Sequence, residues 1–287
     1  MSMATQTARP GGITAPDEGL ATQIRVAVPE RSLRSDLRAV SIVWRREMIR
    51  FRRDRLRAVT SLIQPLLFLL VLGTGLSSLA RGSFPAGVNF KTFIFPGVLA
   101  MSVLFTAVFS AASIVWDREF GFLREMLVAP VSRSAIVIGK CLGGATIATF
   151  QGIVMLCLAW LAHVPYNPVL ILTLIGELLL LSFTITAFGV MMAARITQFQ
   201  AFMALTQMLV LPLFFLSGAL YPLTYVVGPM RHAVFSHLSI NPLYLAHLSP
   251  PITWNGWAVP IWLSLTIVAV MGLGMLGIAI VEFSKTE

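Results

Sequence analysis

Charge is what this sequence has least of. Asp, Glu, Lys and Arg make up 11% of its 287 residues, while 57% are hydrophobic and the mean hydropathy is +0.84. Soluble domains carry roughly 25% charged residues. A chain this short of polar side chains cannot coat a globule in water, so lipid must cover part of it. Cysteine is scarce too. Cys141 and Cys157 both lie in apolar runs, which excludes a disulfide framework and reads as small hydrophobes in helices. The four histidines, His163, His232, His237 and His247, show no spacing that calls for a metal, and no metal site is expected. A phosphate loop is missing as well. The only Gly-Lys pair, Gly139-Lys140, has Ser134 where the first glycine of G-x-x-x-x-G-K-[ST] should stand, so this chain is not expected to hydrolyse ATP. A G-x-G-x-x-G does occur at Gly272, Gly274 and Gly277, but inside an apolar run with no preceding strand. It reads as helix packing, not nucleotide binding. Residues 1–30 are polar and rich in Gly and Pro, with no apolar stretch after the start. They are expected to form a disordered tail, not a cleavable signal.

What the sequence does contain is long apolar runs. A bilayer-spanning helix needs about 20 residues, and six segments meet that length, near 59–80, 92–115, 135–162, 169–194, 200–221 and 258–281. Residues 31–287 therefore read as one membrane domain, an all-α bundle of six transmembrane helices. The net charge of +9 is unevenly placed, with 12 of the 21 Lys and Arg before residue 58. No base-reading module accompanies it, so nucleic acid is not an expected partner. Placing the N-terminus inside puts 18 basic residues in the cytoplasmic gaps and leaves only Arg81, Lys91 and Arg231 outside. Such a bias predicts a multi-pass membrane protein with both termini in the cytoplasm.

Two cytoplasmic segments carry more pattern than a plain loop. Residues 33–57 place Leu33, Leu37, Val40, Trp44, Met48 and Phe51 at steps of three and four, with Arg45, Arg46 and Arg50 among the interspersed basic residues. This predicts a basic amphipathic helix lying in the interface with its arginines among lipid phosphates. A topology-setting basic flank with no further role would show the same pattern. From Trp116 to Pro130 a second, short amphipathic helix is expected. It has Trp116, Phe120, Leu123 and Leu127 on one side and Asp117, Arg118, Gly121, Arg124 and Glu125 on the other. Mixed charge around a glycine suits protein contact, because Gly121 lets another surface approach the backbone.

Residues 222–257 are too long and apolar for a simple outer loop, and Pro222, Pro229, Pro242, Pro250 and Pro251 interrupt them. They are expected to form short re-entrant or interfacial helices. Within the spans Glu177 stands out, because a carboxylate there is costly. It shares a helix face with Thr173 and Thr184. The three could line a substrate path, or the carboxyl could be bonded within the bundle or across a dimer interface. Gln64, Gln151 and Gln207 read as interhelical hydrogen-bonding groups.

Several runs carry a family resemblance. They are Phe95-Pro96-Gly97, Ile114 to Glu125 (IVWDREFGFLRE), Ala129 to Arg133 (APVSR), Phe215 to Pro222 (FLSGALYP) and Asn241-Pro242-Leu243. Over about residues 35–285 the chain resembles the ABC-type exporter permeases of the daunorubicin-resistance and nodulation-factor export group. The resemblance implies a permease that pairs with itself or a related permease and binds two copies of a separate ATPase, which holds the ATP and magnesium. It implies export of a drug, lipid or glycoconjugate. It also implies that the segment Asp117, Arg118, Glu119, Phe120, Gly121, Arg124 and Glu125 docks on that ATPase. Two readings from other classes remain. An ion-coupled secondary transporter would use Glu177, and a membrane lipid or sugar transferase would use the acids near Asp117, although Arg118 and Arg124 stand among them and no histidine is near.

Overall fold

The computed structural model describes residues 33–77, 90–121, 131–162, 168–216, 253–254, 257–258 and 261–285, all within one compact unit, Arg31–Glu287. Among them are seven α-helices: α1 Leu33–Arg53, α2 Arg55–Gly75, α3 Phe90–Glu119, α4 Arg133–Cys157, α5 Pro168–Arg195, α6 Phe199–Leu216 and α7 Ile261–Lys285. A 3₁₀ turn, Ala159–Ala162, follows α4. Helices α2, α3, α4, α5 and α7 are long and apolar enough to cross a membrane. The remaining expected span, 200–221, corresponds to α6, whose 18 described residues reach about 27 Å at 1.5 Å per residue, with residues 217–221 outside the described residues.

Local sequence explains where the helices begin. Asp54 interrupts α1–α2 by a single residue and caps α2, its Oδ1 accepting from the Arg57 amide at 3.1 Å. Ser132 caps α4 in the same way, its Oγ accepting from the Ala135 amide at 3.3 Å. Each side chain satisfies an amide that the first helical turn leaves without a carbonyl.

Helix α3 is the centre of the bundle. In its most apolar stretch 83% of residues are buried, against 17% in α2 and in α7, so those two are peripheral. Around α3 pack α4 and α5, and the three meet through small residues. A Cβ at Gly144 of α4 would lie 2.5 Å from Thr186 Cγ2 of α5 and 2.9 Å from Ser110 Oγ of α3. The glycine at 272 in α7 packs against Thr184 in the same fashion, whereas Gly274 and Gly277 have nothing within 4 Å. Close packing thus accounts for the first glycine of that motif and not for the other two.

Three expectations change. Asp117, Arg118 and Glu119 are not the start of a separate short helix: they form the last turn of α3, which ends at Phe120 and Gly121. Residues 122–130 lie outside the described residues. The basic amphipathic helix expected over 33–57 stops at Arg53, and residues 55–57 open α2 instead. Leu33 and Leu37 are exposed, while Ala39, Val43 and Glu47 are buried against α4. Of the expected outer helical segment 222–257, the described residues are strands, not helix: Thr253–Trp254 pairs antiparallel with Trp257–Ala258. The rest of that expectation, like the tail 1–30, lies outside the described residues.

The α1–α4 contact depends on two glycines one turn apart. A Cβ on Gly139 would sit 2.7 Å from Val43 Cβ, and one on Gly143 would sit 2.9 Å from Glu47 Cβ. Gly139→Leu should therefore push α1 off α4. The check is maleimide labelling of Ala39→Cys in a chain carrying Cys157→Ser. The cysteine should be protected when residue 139 is glycine and labelled when it is leucine. Equal labelling in both would show that the glycine does not hold α1.

Candidate functional site

The last turn of α3 carries three consecutive charged residues, Asp117, Arg118 and Glu119. Lys140, about two turns into α4, points its ammonium at two carboxylates. It lies 2.6 Å from Asp117 Oδ2 and 2.6 Å from Glu47 Oε1, and donates to Ser113 Oγ at 3.0 Å. All three charged side chains are no more than 5% exposed. From the solvent side Arg46 and Arg50 of α1 reach the other oxygen of Asp117 at 3.2 and 3.4 Å. Two acids and three bases so form one network joining α1, α3 and α4. Buried charges persist only when paired and hydrogen-bonded; Lys140 and Asp117 meet both conditions, while Glu47 is ion-paired but its Oε1 has no hydrogen-bond partner among the described residues.

The next two residues act on different helices. Arg118 Nη1 donates to the carbonyls of Ala193, Ala194 and Ile196 at 3.1 to 3.4 Å. It caps the C-terminus of α5, where a cation also meets the negative end of the helix dipole. Glu119 Oε2 accepts from the Phe199 amide at 3.2 Å and caps the N-terminus of α6. Trp116 stacks on Phe199, ring centroids 5.0 Å apart, with Arg50 over its other side at 5.7 Å. Four consecutive residues, 116 to 119, therefore touch every neighbouring helix at this end except α2. The C-terminus of α7 joins the same end through Arg195–Glu282 at 2.8 Å and Arg133 Nη1 donating to the Ser284 carbonyl at 3.0 Å. The basic residues that the charge count assigned to the cytoplasm (Arg118, Arg133, Lys140, Arg195 and Lys285) thus share one end of the bundle.

Beyond the junction, Phe120 is 70% exposed and Gly121 turns the chain with φ of +81° and open space around its Cα. That conformation favours glycine. Arg124 and Glu125 lie outside the described residues.

The other candidates fall apart from this site. On α1, Leu37 and Arg45 are exposed, and Trp44 Nε1 donates to Thr146 Oγ1 of α4 at 3.1 Å. In α5, Glu177 is buried, with no hydrogen-bond partner for Oε2 among the described residues. Thr184 does not extend its polar face: it is buried and donates to the Val268 carbonyl of α7 at 3.1 Å. Thr173 is exposed. Gln151 of α4 donates to Ser61 Oγ of α2 at 2.9 Å, an interhelical bond of the expected kind.

Sequence reading missed Glu47 and Lys140. The available signal was a lysine inside an apolar run beside Gly139 and Gly143, since a cation there demands a nearby carboxylate.

Removing one partner of a buried ion pair costs about 3–5 kcal/mol because the other charge is stranded. Lys140→Met should lower the apparent melting temperature in detergent accordingly. Adding Asp117→Asn and Glu47→Gln should recover most of the loss. A single variant that melts with the unaltered chain would mean the network contributes nothing to the fold.

Comparison with known proteins places this architecture. The family described as ABC-2 type transporter matches residues 38–246. The chain is 27% identical over 211 residues to the probable multidrug ABC transporter permease YbhR of Escherichia coli K12, covering 67% of this chain and 53% of that protein. It is 26% identical to the putative transport permease ycf38 of Cyanophora paradoxa, over 69% of this chain and 74% of the relative. Nodulation protein J of Rhizobium leguminosarum bv. viciae is 26% identical over 63% of this chain and 70% of its own length. The chain spans about half the length of YbhR. With a match over nearly three-quarters of its residues, and with five helices able to cross a bilayer, the chain belongs to the ABC-2 type transporter family of membrane permeases.

Proposed function

We propose that this chain is the membrane-spanning subunit of an ATP-driven exporter in a bacterial cytoplasmic membrane. Its cargo is a hydrophobic or amphipathic molecule, of the drug, lipid or glycoconjugate kind. ATP and magnesium are bound by a separate ATPase, two copies of which serve a pair of permeases, either two of this chain or this chain with a related one. The family supplies the setting, and the observation that carries the reading is the junction at residues 116–119. A force applied where the chain leaves α3, at Phe120 and Gly121, reaches α1 and α4 through Asp117, α5 through Arg118 and α6 through Glu119. That is the mechanical requirement for a coupling segment.

The energetics follow from linkage. A ligand shifts a two-state equilibrium only by its differential affinity for the two states. ATP closure of the partner subunits supplies that difference. The docked segment passes it to the bundle, and the cargo leaves because the outward-facing state holds it less tightly. The buried Glu177 carboxylate, whose Oε2 has no hydrogen-bond partner among the described residues, supports a second reading, a proton site of an ion-coupled carrier, because intramembrane acids mark such sites.

Purification of the tagged chain from its own membrane in mild detergent separates these. A stoichiometric phosphate-loop ATPase should accompany it. Phe120→Ala and Gly121→Trp should each reduce its retention at least about tenfold while leaving the chain folded, the range expected for a central aromatic contact at an interface. Glu119 is a poorer probe, since its carboxylate also caps α6. If the chain comes down alone under conditions that preserve other complexes, the exporter reading fails. Loss of transport in Glu177→Gln would then favour the carrier.

A further inference from the structure

Between the α1–α2 corner and α3 lies a cleft of about 400 Å³, floored by Ile147 of α4 and closed at one end by Phe199 of α6. Its lining runs from Glu47 on α1 to Gln64 on α2, across the break at Asp54. Most of its wall is apolar, with Phe51, Phe109 and Trp116 supplying the largest surfaces. Its polar groups are not equivalent. Glu47 is neutralised by Lys140 at 2.6 Å, and Arg50 is held by Asp117 at 3.4 Å. Asp54 is exposed at the rim, and its Oδ1 caps α2.

Two groups are left over. The guanidinium of Arg57 lies half-buried over the Phe109 ring, 5.6 Å from its centroid, and makes no ion pair among the described residues. Across the cleft, Thr106 of α3 is 6% exposed, and its hydroxyl has no hydrogen-bond partner among the described residues. A buried hydroxyl without a partner costs free energy, and a cation beside apolar walls calls for an anion. The planar guanidinium fork suits a phosphate or carboxylate, which it can grip with two parallel bonds. A free inorganic anion would satisfy Arg57 but leave the aromatic walls wet. A neutral lipid would cover the walls but leave the cation unmatched.

We propose that this cleft is a binding site for an anionic amphiphile. Its negatively charged head meets Arg57 and accepts from Thr106 and its chain lies along Phe109 and Trp116. Either a membrane lipid or the exported cargo could present that chemistry.

The test uses the full-length purified chain alone, so it stands apart from the exporter reading. The chain is delipidated in a neutral detergent and titrated with phosphatidylglycerol, phosphatidylcholine and dodecyl phosphate, with bound species counted by native mass spectrometry. One phosphatidylglycerol should bind saturably, at least about tenfold tighter than phosphatidylcholine, and dodecyl phosphate should displace it. Arg57→Gln should abolish the preference. Thr106→Val, which removes only the hydroxyl, should weaken binding severalfold even if Arg57→Gln proves unstable. Arg52→Gln, an exposed arginine outside the cleft, should change nothing. Equal binding of the two lipids, or an equal loss in Arg52→Gln, would overturn the site in favour of diffuse surface charge. Where the site holds, its occupant is identified by adding the partner ATPase and ATP. A resident lipid stays bound, whereas cargo is released.

Discussion

One ammonium group holds this end of the bundle together. Lys140 sits between Asp117 and Glu47, each 2.6 Å away, in a place from which water is largely excluded. Without those carboxylates the lysine would not be tolerated so far inside α4, and without the lysine the carboxylates of α1 and α3 would repel one another. Hydrophobic burial cannot choose this arrangement, because apolar surface is non-directional and the helices could rotate with little change in area. Charge pairing can. It fixes which face of α1 meets α4, how deeply α3 reaches, and the relative height of all three helices.

That constraint also explains what could and could not be read from the sequence. The spans were legible because each is a long apolar run, and the helical nature of 33–53 because its apolar residues recur at steps of three and four. The side of α1 that docks was not legible. Helical periodicity points to the stripe of Leu33, Leu37 and Trp44, yet the face against α4 carries Ala39, Val43 and Glu47, roughly a quarter-turn away. It is marked by small residues and a charge, which a hydrophobic pattern does not register. Asp117, Arg118 and Glu119 stand out in the sequence as unusual. Apart from Lys140, 23 residues from Asp117, their partners are some 70 to 80 residues distant in sequence, and no local rule connects them. Mixed charge around Gly121 reads as a surface for protein contact, whereas Asp117, Arg118 and Glu119 are each engaged within the bundle. The fifth expected span, 200–221, is helix as far as Leu216, and its last five residues lie outside the described residues.

The two peripheral helices complete the picture of a bundle with a tight centre and a looser rim. Three helices, α3, α4 and α5, interlock through glycine and small hydroxyl residues, a packing that works in lipid because it brings backbones close without needing water to drive association. Helix α2 is attached differently. It meets α3 through Leu69 and Gly73 near its far end, while nearer its start the cleft intervenes. The single-residue break at Asp54 lets α1 follow the charge junction while α2 follows α3.

The placement of residues 116 to 119 has an evolutionary corollary. Successive residues on an α-helix point 100° apart, so four neighbours in sequence can face four directions only in one rotational setting. A single residue inserted or deleted between the apolar body of α3 and this turn would swing Trp116, Asp117, Arg118 and Glu119 together onto the wrong neighbours. Substitutions can be absorbed one contact at a time, but a change in length cannot. The tally of residues from Ser113 to Glu119 should therefore be among the most rigidly kept features of such a chain, whatever drift occurs in the letters themselves.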